Sequence, residues 1–434
     1  MAERKDAELL FIGDVHLGRR PVGMDAALLE HGLTARELSP AVALTNVVDH
    51  ALESPPRVVI FAGDLVDHDD DYFEASFLLE REVKRLVEAG IAVVAIAGNH
   101  DGNVLPKLIK QVEGVRLLGA GGTWERFEVP GSGRPIDLLG WSFPKRHFSN
   151  CPLDHGEFTT AKDSTRSGAK VIGVLHTDLD AGSSNYAPVS RSRLVDTNLD
   201  AWFLGHIHQP GDLDEAVPIG YLGSLVGLDP GEPGLRGAWR VSVAGDRVVA
   251  KQLSLEPVRF EYLEVPLTDK DCDDVESVHS RVMTVVREWV AASETLNLDT
   301  LQALIVRVNL TGELPDCSAP REYASGGGPR NLNAGELRVV IQKSRDETTL
   351  VIDLETLALE PTPLGYVAQR VLDLRAGNQL ATASGAQAEI NDLVAMGWDL
   401  DEEDYPVPSA KDMLERSARR VLSTLLAQRE EVQS

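Results

Sequence analysis

Leu9-Leu10-Phe11-Ile12-Gly13-Asp14-Val15-His16 is an apolar run that stops abruptly on an Asp-x-His pair. The same grammar recurs along the chain. Val58-Val59-Ile60-Phe61-Ala62 leads into Gly63-Asp64-Leu65-Val66-Asp67, and residues 92–97 lead into Gly98-Asn99-His100-Asp101. Val171-Ile172-Gly173-Val174-Leu175 ends on His176, and Ala201-Trp202-Phe203-Leu204 on Gly205-His206-Ile207-His208. Short runs rich in β-branched residues read as buried strands. In open α/β sheets, active sites form in the crevice beyond the carboxyl ends of strands. Asp, Asn and His at such ends supply oxygen and nitrogen ligands suited to Mn²⁺, Fe or Zn²⁺, with no thiolate among them. A carboxylate between two cations bridges them, and two ions roughly 3.5–4 Å apart clamp a phosphate. A lone His or Asp at a strand end is more often a satisfied polar residue. Five such ends in one order point to a metal site.

Composition bounds the rest. With 434 residues, 43% of them hydrophobic and 25% charged, the chain reads as an ordinary globular protein of two or three domains. No apolar stretch has the length of a bilayer crossing, and no apolar segment precedes the first strand. A cytoplasmic location without signal or anchor is therefore expected. Cys151, Cys272 and Cys317 form no zinc-type spacing and read as reduced thiols. The net charge of -26 is unfavourable for a protein that grips nucleic acid unaided. It reads first as solvation of outward faces. Local cations near the motifs soften it: Arg19-Arg20, Lys145-Arg146-His147, Arg191 and Arg193.

Ser39-Pro40 opens a helix whose stripe is Ala43, Leu44, Val47, Val48, Ala51 and Leu52, and a second helix is expected over residues 77–89. Past Gly114 the pattern turns β-rich, at 123–129, 136–140, 221–225, 238–243 and 247–255, which suggests hairpins and a two-sheet sandwich ending near Pro257. Strands at 260–265 and 304–310, a helix at 275–292, a glycine-rich loop at 325–329 and strands at 337–343 and 348–354 predict a small α+β domain. Helices are expected over 365–374 and 410–429, separated by a small-residue stretch at 376–387 and an acidic turn at 399–404. The expected domains are 1–258, 259–360 and 361–434.

The ordered set D-x-H, GD-x-x-D, GNH-[D/E], H and GH-x-H resembles the calcineurin-like metallophosphoesterase superfamily. The resemblance implies an α/β fold of four layers, two β-sheets flanked by helices, with a capping domain and a helical C-terminal segment. It assigns Asp14, His16 and His208 to one metal and Asn99, His176 and His206 to another, with Asp64 bridging. His100 would be the general acid, and Asp101 would orient or tune its imidazole. Asp67, Arg19, Arg191 and Arg193 are candidates for supporting the ligands or contacting substrate. His31, His50, His155 and His279 read as surface or packing residues, whereas the loop of His147 is placed to reach the site.

Tyr186-Ala187-Pro188, residues 199–208 and Tyr221-Leu222-Gly223-Ser224 are similar to SbcD-type DNA-repair exonucleases, relatives of the Mre-eleven nuclease, and in particular to the YhaO-like subgroup. Leu222 stands where that family has proline, and the run Asp67-His68-Asp69-Asp70-Asp71 is more acidic than a DNA-facing loop requires. The likeness implies two Mn²⁺ ions, a DNA substrate, 3′→5′ exonuclease with some endonuclease activity, a homodimer, and an SbcC-type coiled-coil ATPase as partner. Met413, Val421, Leu422, Leu425 and Leu426 form a stripe on the last helix for docking that partner or for packing on the chain's own cap. Two other readings are an esterase for a small nucleotide or phosphoprotein, and a scaffold for DNA ends.

Overall fold

Leu9 and Phe11 face one way and Leu10 and Ile12 the other, as period-two strand geometry dictates, yet all four are fully buried. Such a strand needs apolar layers on both sides, and the computed structural model supplies them. It describes residues 8–22, 33–68, 72–131, 134–154, 156–328, 331–334, 337–377 and 409–433. Strands β1 (Glu8–Ile12), β2 (Val58–Ala62), β3 (Ala92–Ile96) and β4 (Val115–Leu117) are parallel neighbours, linked by helices α1 (Pro40–Glu53) and α2 (Tyr72–Glu88) among others. Strands β5 (Trp124–Glu128), β6 (Ile136–Trp141), β7 (Lys170–His176), β8 (Ala201–Gly205) and β9 (Ile219–Tyr221) form a second sheet in that order. The hairpin of β10 (Gly237–Ala244) and β11 (Arg247–Ser254) returns to the first sheet, with β10 antiparallel to β1.

The two sheets close on one core. Leu9, Phe11, Ile60 and Val94 from the first meet Leu138, Ile172, Val174 and Phe203 from the second, with the rings of Phe11 and Phe203 4.5 Å apart. The outer face of the second sheet, with Trp141, Leu175 and Trp202, is covered by Phe158 and Ala161 of an unexpected helix, Gly156–Asp163, and by Leu194. The expected hairpins form at β5–β6 and at β10–β11, both antiparallel, but the strands between them do not pair that way. Strands β6 to β9 are all parallel, because the crossovers between them carry helices and loops rather than tight turns. The run expected at 221–225 is strand only to Tyr221; beyond it the chain forms a loop whose Gly223 carbonyl accepts from the Asp14 amide at 3.2 Å.

The chain divides into two compact units, residues 1–259 with 294–304, and residues 260–293 with 305–434. The expected cut at 258/259 is therefore not a clean boundary, since residues 294–304 return to the first unit. Arg259, 1% exposed, explains why: its guanidinium donates to Glu256 Oε1, to Ser254 Oγ and to the carbonyl of Thr295. The second unit holds a sheet in the order β12 (Val258–Pro266), β13 (Ala303–Thr311), β15 (Leu337–Asp346), β14 (Asn331–Ala334). Its long helix, Val275–Ala292, is capped by Asp274 and buries Val278, Val282 and Val286 at four-residue spacing. The glycine-rich stretch forms a π-helical turn, Tyr323–Gly327, and Leu354 starts a helix rather than ending a strand. The last helix, Ala410–Gln433, places Leu422 in a cluster with Leu357, Leu364, Ala368 and Val371 of the same unit. The segments 378–408 and 69–71, with His31 and His155, lie outside the described residues. Among the described residues no helix is long and apolar enough to cross a membrane, and the three cysteines are free.

Candidate metal centre

Because β1, β2, β3, β7 and β8 run parallel within their sheets, their ligand-bearing carboxyl ends emerge together. The loops there stack so closely that side chains are excluded at the residues before the ligands. A Cβ at Gly98 would lie 2.1 Å from Asp64 Oδ1, and one at Gly63, where φ is +99°, would lie 2.5 Å from His176 Nδ1. Three candidate ligands, His16, Asp64 and His206, hold left-handed φ values of 52°, 46° and 106°. That conformation costs on the order of 1–3 kcal/mol per non-glycine residue and persists only where its surroundings impose it. Here the Asp64 carbonyl accepts from the amides of Val15 and His16 at 3.1 and 2.9 Å, locking the first two loops together.

Four imidazoles converge, and each has one nitrogen held by an oxygen and the other turned inward. His16 is held through Nδ1 by Asp67 Oδ1 at 2.8 Å, and His176 through Nδ1 by the Ala62 carbonyl at 3.1 Å. His208 is held through Nδ1 by Glu232 Oε1 at 2.5 Å, and His206 through Nε2 by Asp178 Oδ1 at 3.1 Å. This is the arrangement of metal-binding histidines, whose second nitrogen is fixed by a partner that sets tautomer and aim. The inward atoms lie at ligand spacing. His16 Nε2 and His208 Nε2 are 3.0 Å apart; Asn99 Oδ1 is 2.8 Å from His176 Nε2 and 3.0 Å from His206 Nδ1. Two donors each ~2.1 Å from one ion and at right angles to it are separated by ~3.0 Å. Asp14, His16 and His208 thus make one set, and Asp64, His176 and His206 another. Asp64 Oδ2 lies 3.4 Å from His176 Nε2 and 3.9 Å from His16 Nε2, between the two. The donor sets fit divalent cations.

The electrostatics agree. Burial resists charge on His176, but the carboxylates of Asp64 and Asp14 outweigh it and push its pKa up to about 9. Burial likewise opposes ionisation of Asp64, yet His176 and His16 hold its carboxyl well below the usual range. The buried carboxylates thus favour positive charge at this position.

The sequence-predicted residues divide cleanly. Asp14, His16, Asp64, Asn99, His176, His206 and His208 come together, with Asp67 behind His16. His100 sits at the edge: its amide donates to Asp64 Oδ1 at 2.9 Å, and its Nδ1 donates to the Asp67 carbonyl at 2.9 Å. Asp101 does not take the expected orienting role. Its oxygens accept from the amides of Gly98 and Leu65, at 2.8 and 2.7 Å, so it braces the loops beneath Asp64. Burial and the Asp64 charge push its pKa up to about 7. The partner that orients His100 is Asp67. Arg191 pairs with Glu215 and the Ile219 carbonyl, and Arg193 with Asp154. Burial and, more weakly, Arg19 oppose charge on His208, but Glu232 and Asp14 outweigh them and raise its pKa. His147 approaches through Tyr186, whose ring lies 5.8 Å from that of His147 and 4.9 Å from that of His206. His50 pairs with Arg240, away from the centre. Asp178 and Glu232 were not legible in sequence.

Residues 7–210 match the calcineurin-like phosphoesterase family. The chain is 27% identical over 271 residues to YhaO of Bacillus subtilis, described as an uncharacterized metallophosphoesterase, covering 61% of this chain and 64% of that one. It is 29% identical over 317 residues to the DNA double-strand break repair protein Mre11 of Aeropyrum pernix, covering 69% of this chain and 72% of that protein. A dimetal phosphatase from Danio rerio aligns with 57% of this chain and 95% of its own length at 12% identity and a TM-score of 0.36. The strand-end placement of the donors and the family match agree: residues 7–210 form a calcineurin-like metallophosphoesterase domain.

Proposed function

We propose that this protein is a two-metal phosphodiesterase that trims DNA ends, a 3′→5′ exonuclease with some endonuclease activity. The observation that carries the reading is the pair of donor sets sharing Asp64, built from Asp14, His16 and His208 on one side and Asn99, His176 and His206 on the other. Divalent ions held there would supply Lewis acidity for in-line hydrolysis of a phosphodiester, and the likeness to the SbcD-type exonucleases favours Mn²⁺ over the other ions these donors suit. The chain's own contribution is positioning and proton transfer. His100 donates through Nδ1 to the Asp67 carbonyl, leaving Nε2 to deliver a proton to the departing sugar oxygen. The acid role needs protons on both ring nitrogens, and the Asp67 carboxylate, 3.7 Å from Nδ1, is placed to face that ring.

DNA as substrate is supported by the likeness to the Aeropyrum pernix repair protein and by the Tyr186 and Tyr221 segments. The net charge of -26 argues that affinity for a polyanion comes partly from a partner, and by the same likeness that partner is an SbcC-type coiled-coil ATPase bound to a homodimer. The second unit is the candidate cap that selects polymer over small diesters. End-labelled duplex and single-stranded DNA, incubated with Mn²⁺ beside bis-nitrophenyl phosphate, tests the reading. Shortening of the labelled strands is expected. Hydrolysis of the aryl diester with no action on either DNA would favour a small-substrate esterase instead.

A further inference from the structure

We propose that Asp178 and Glu232 are the positioning residues of the His206-x-His208 pair, holding the two imidazoles in opposite tautomers so that each serves a different metal. The proposal rests on the two-metal reading of the centre. His206 and His208 are two residues apart at the end of one strand, yet their inward atoms differ. His206 faces Asn99 Oδ1 with Nδ1, at 3.0 Å, while His208 faces His16 Nε2 with Nε2, at 3.0 Å. A neutral imidazole carries one proton, so its ligand nitrogen is whichever one the proton leaves free.

Each outward nitrogen meets one carboxylate. Asp178 Oδ1 lies 3.1 Å from His206 Nε2, which places the proton there and the lone pair on Nδ1. Glu232 Oε1 lies 2.5 Å from His208 Nδ1, which places the lone pair on Nε2. Both carboxylates are themselves anchored. The second oxygen of Glu232 accepts from the Leu228 amide at 2.7 Å, and that of Asp178 accepts from the Ser184 hydroxyl. The left-handed φ of 106° at His206 turns its ring relative to that of His208, so the backbone and the two carboxylates specify one arrangement. Exchange of either tautomer would present an N–H to the ion.

Titration calorimetry of the full chain with Mn²⁺ tests this directly. The wild type is expected to bind two ions, and Asp178→Ala and Glu232→Ala are each expected to weaken one of them by about 10–100-fold while leaving the other in place. Asp178→Asn and Glu232→Gln keep an acceptor and the volume, and are expected to recover part of the loss. They also carry the test if an alanine variant does not fold. Adding Asp178→Ala to His206→Ala should cost nothing further, whereas adding Glu232→Ala should weaken the second ion. Long-range ¹H–¹⁵N spectra of the metal-free chain should show Nε2–H at His206 and Nδ1–H at His208. Wild-type binding of two ions with both affinities unchanged in the variants, or identical tautomers at the two rings, overturns the positioning roles. Failure of the wild type to bind any ion overturns the metal reading and the proposal with it.

Discussion

At His100 the atom that matters is Nε2, because Nδ1 is engaged by the Asp67 carbonyl at 2.9 Å. Replacing His100 with Ala removes a proton donor and no expected ligand. Mn²⁺ calorimetry should therefore be unchanged, while DNA cleavage slows by about 10²-fold or more. The deficit should shrink for nitrophenyl esters, whose leaving group needs little protonation, and an equal deficit for both would indicate a positioning role. His176 makes a second prediction. Its folded-state pKa of about 9 lies above its ordinary value of 6.5, so the folded protein holds the extra proton. The stability this brings is complete below pH 6.5 and is lost as pH rises through about 9. The metal-free protein should accordingly lose thermal stability across that window. A metal ion competes with that proton for Nε2, so Mn²⁺ affinity should rise across the same range, with about one proton released. Affinity that stays flat across it would contradict the assignment.

Among elements, the last helix offers the sharpest case, because its stripe reads equally well as a partner surface or a packing face. Leu422 is fully buried among Leu357, Leu364, Ala368 and Val371, while Met413 and Val421 are 38% and 48% exposed. Ion pairs fix the register: Arg419 with Glu313 at 2.8 Å and Arg429 with Glu360 at 3.0 Å. The chain thus uses the centre of the stripe for itself. Leu422→Ala should cost about 2–5 kcal/mol in urea unfolding of the second unit. Val421→Ala should change stability by less than about 0.5 kcal/mol. Equal effects would mean that the helix is not packed this way. An ATPase docking on this segment is left with the flank of Met413 and Val421, which a double Asp substitution there, read by co-elution, would test.

For the whole molecule, the consequential feature is that residues 294–304 return to the first unit after the long helix of the second. Asn297 donates to the Ser254 carbonyl at 3.0 Å, and the Gln302 amide to that of Pro257 at 2.8 Å. A chain ending at Pro257 loses these contacts and strands Glu256 in a buried position without Arg259. Arg259→Met in the full chain should cost roughly 3–5 kcal/mol, because one partner of a buried pair is left uncompensated. Glu256→Leu combined with Arg259→Met should recover much of that. Denaturant titration followed on the tryptophans of the sandwich distinguishes the cases, and additive losses would show that the pair does not act as a unit.

Everything legible in the sequence was local. Each strand end is a few contiguous residues in which strand period, glycine and a metal-binding side chain adjoin, so the seven candidate ligand positions can be read from the sequence alone. The helix at 275–292 was legible for the same reason, an uninterrupted four-residue stripe behind an Asp cap. What tertiary structure decided depends on distant residues meeting. Glu232 is 24 positions from His208, and among 68 acidic residues nothing local marks it or Asp178 as an imidazole partner. The parallel order of the second sheet, the return of 294–304 and the diversion of Asp101 from His100 to backbone amides share that cause. A carboxylate's role is set by the donor that folding brings within about 3 Å of it, and chain spacing does not encode that distance.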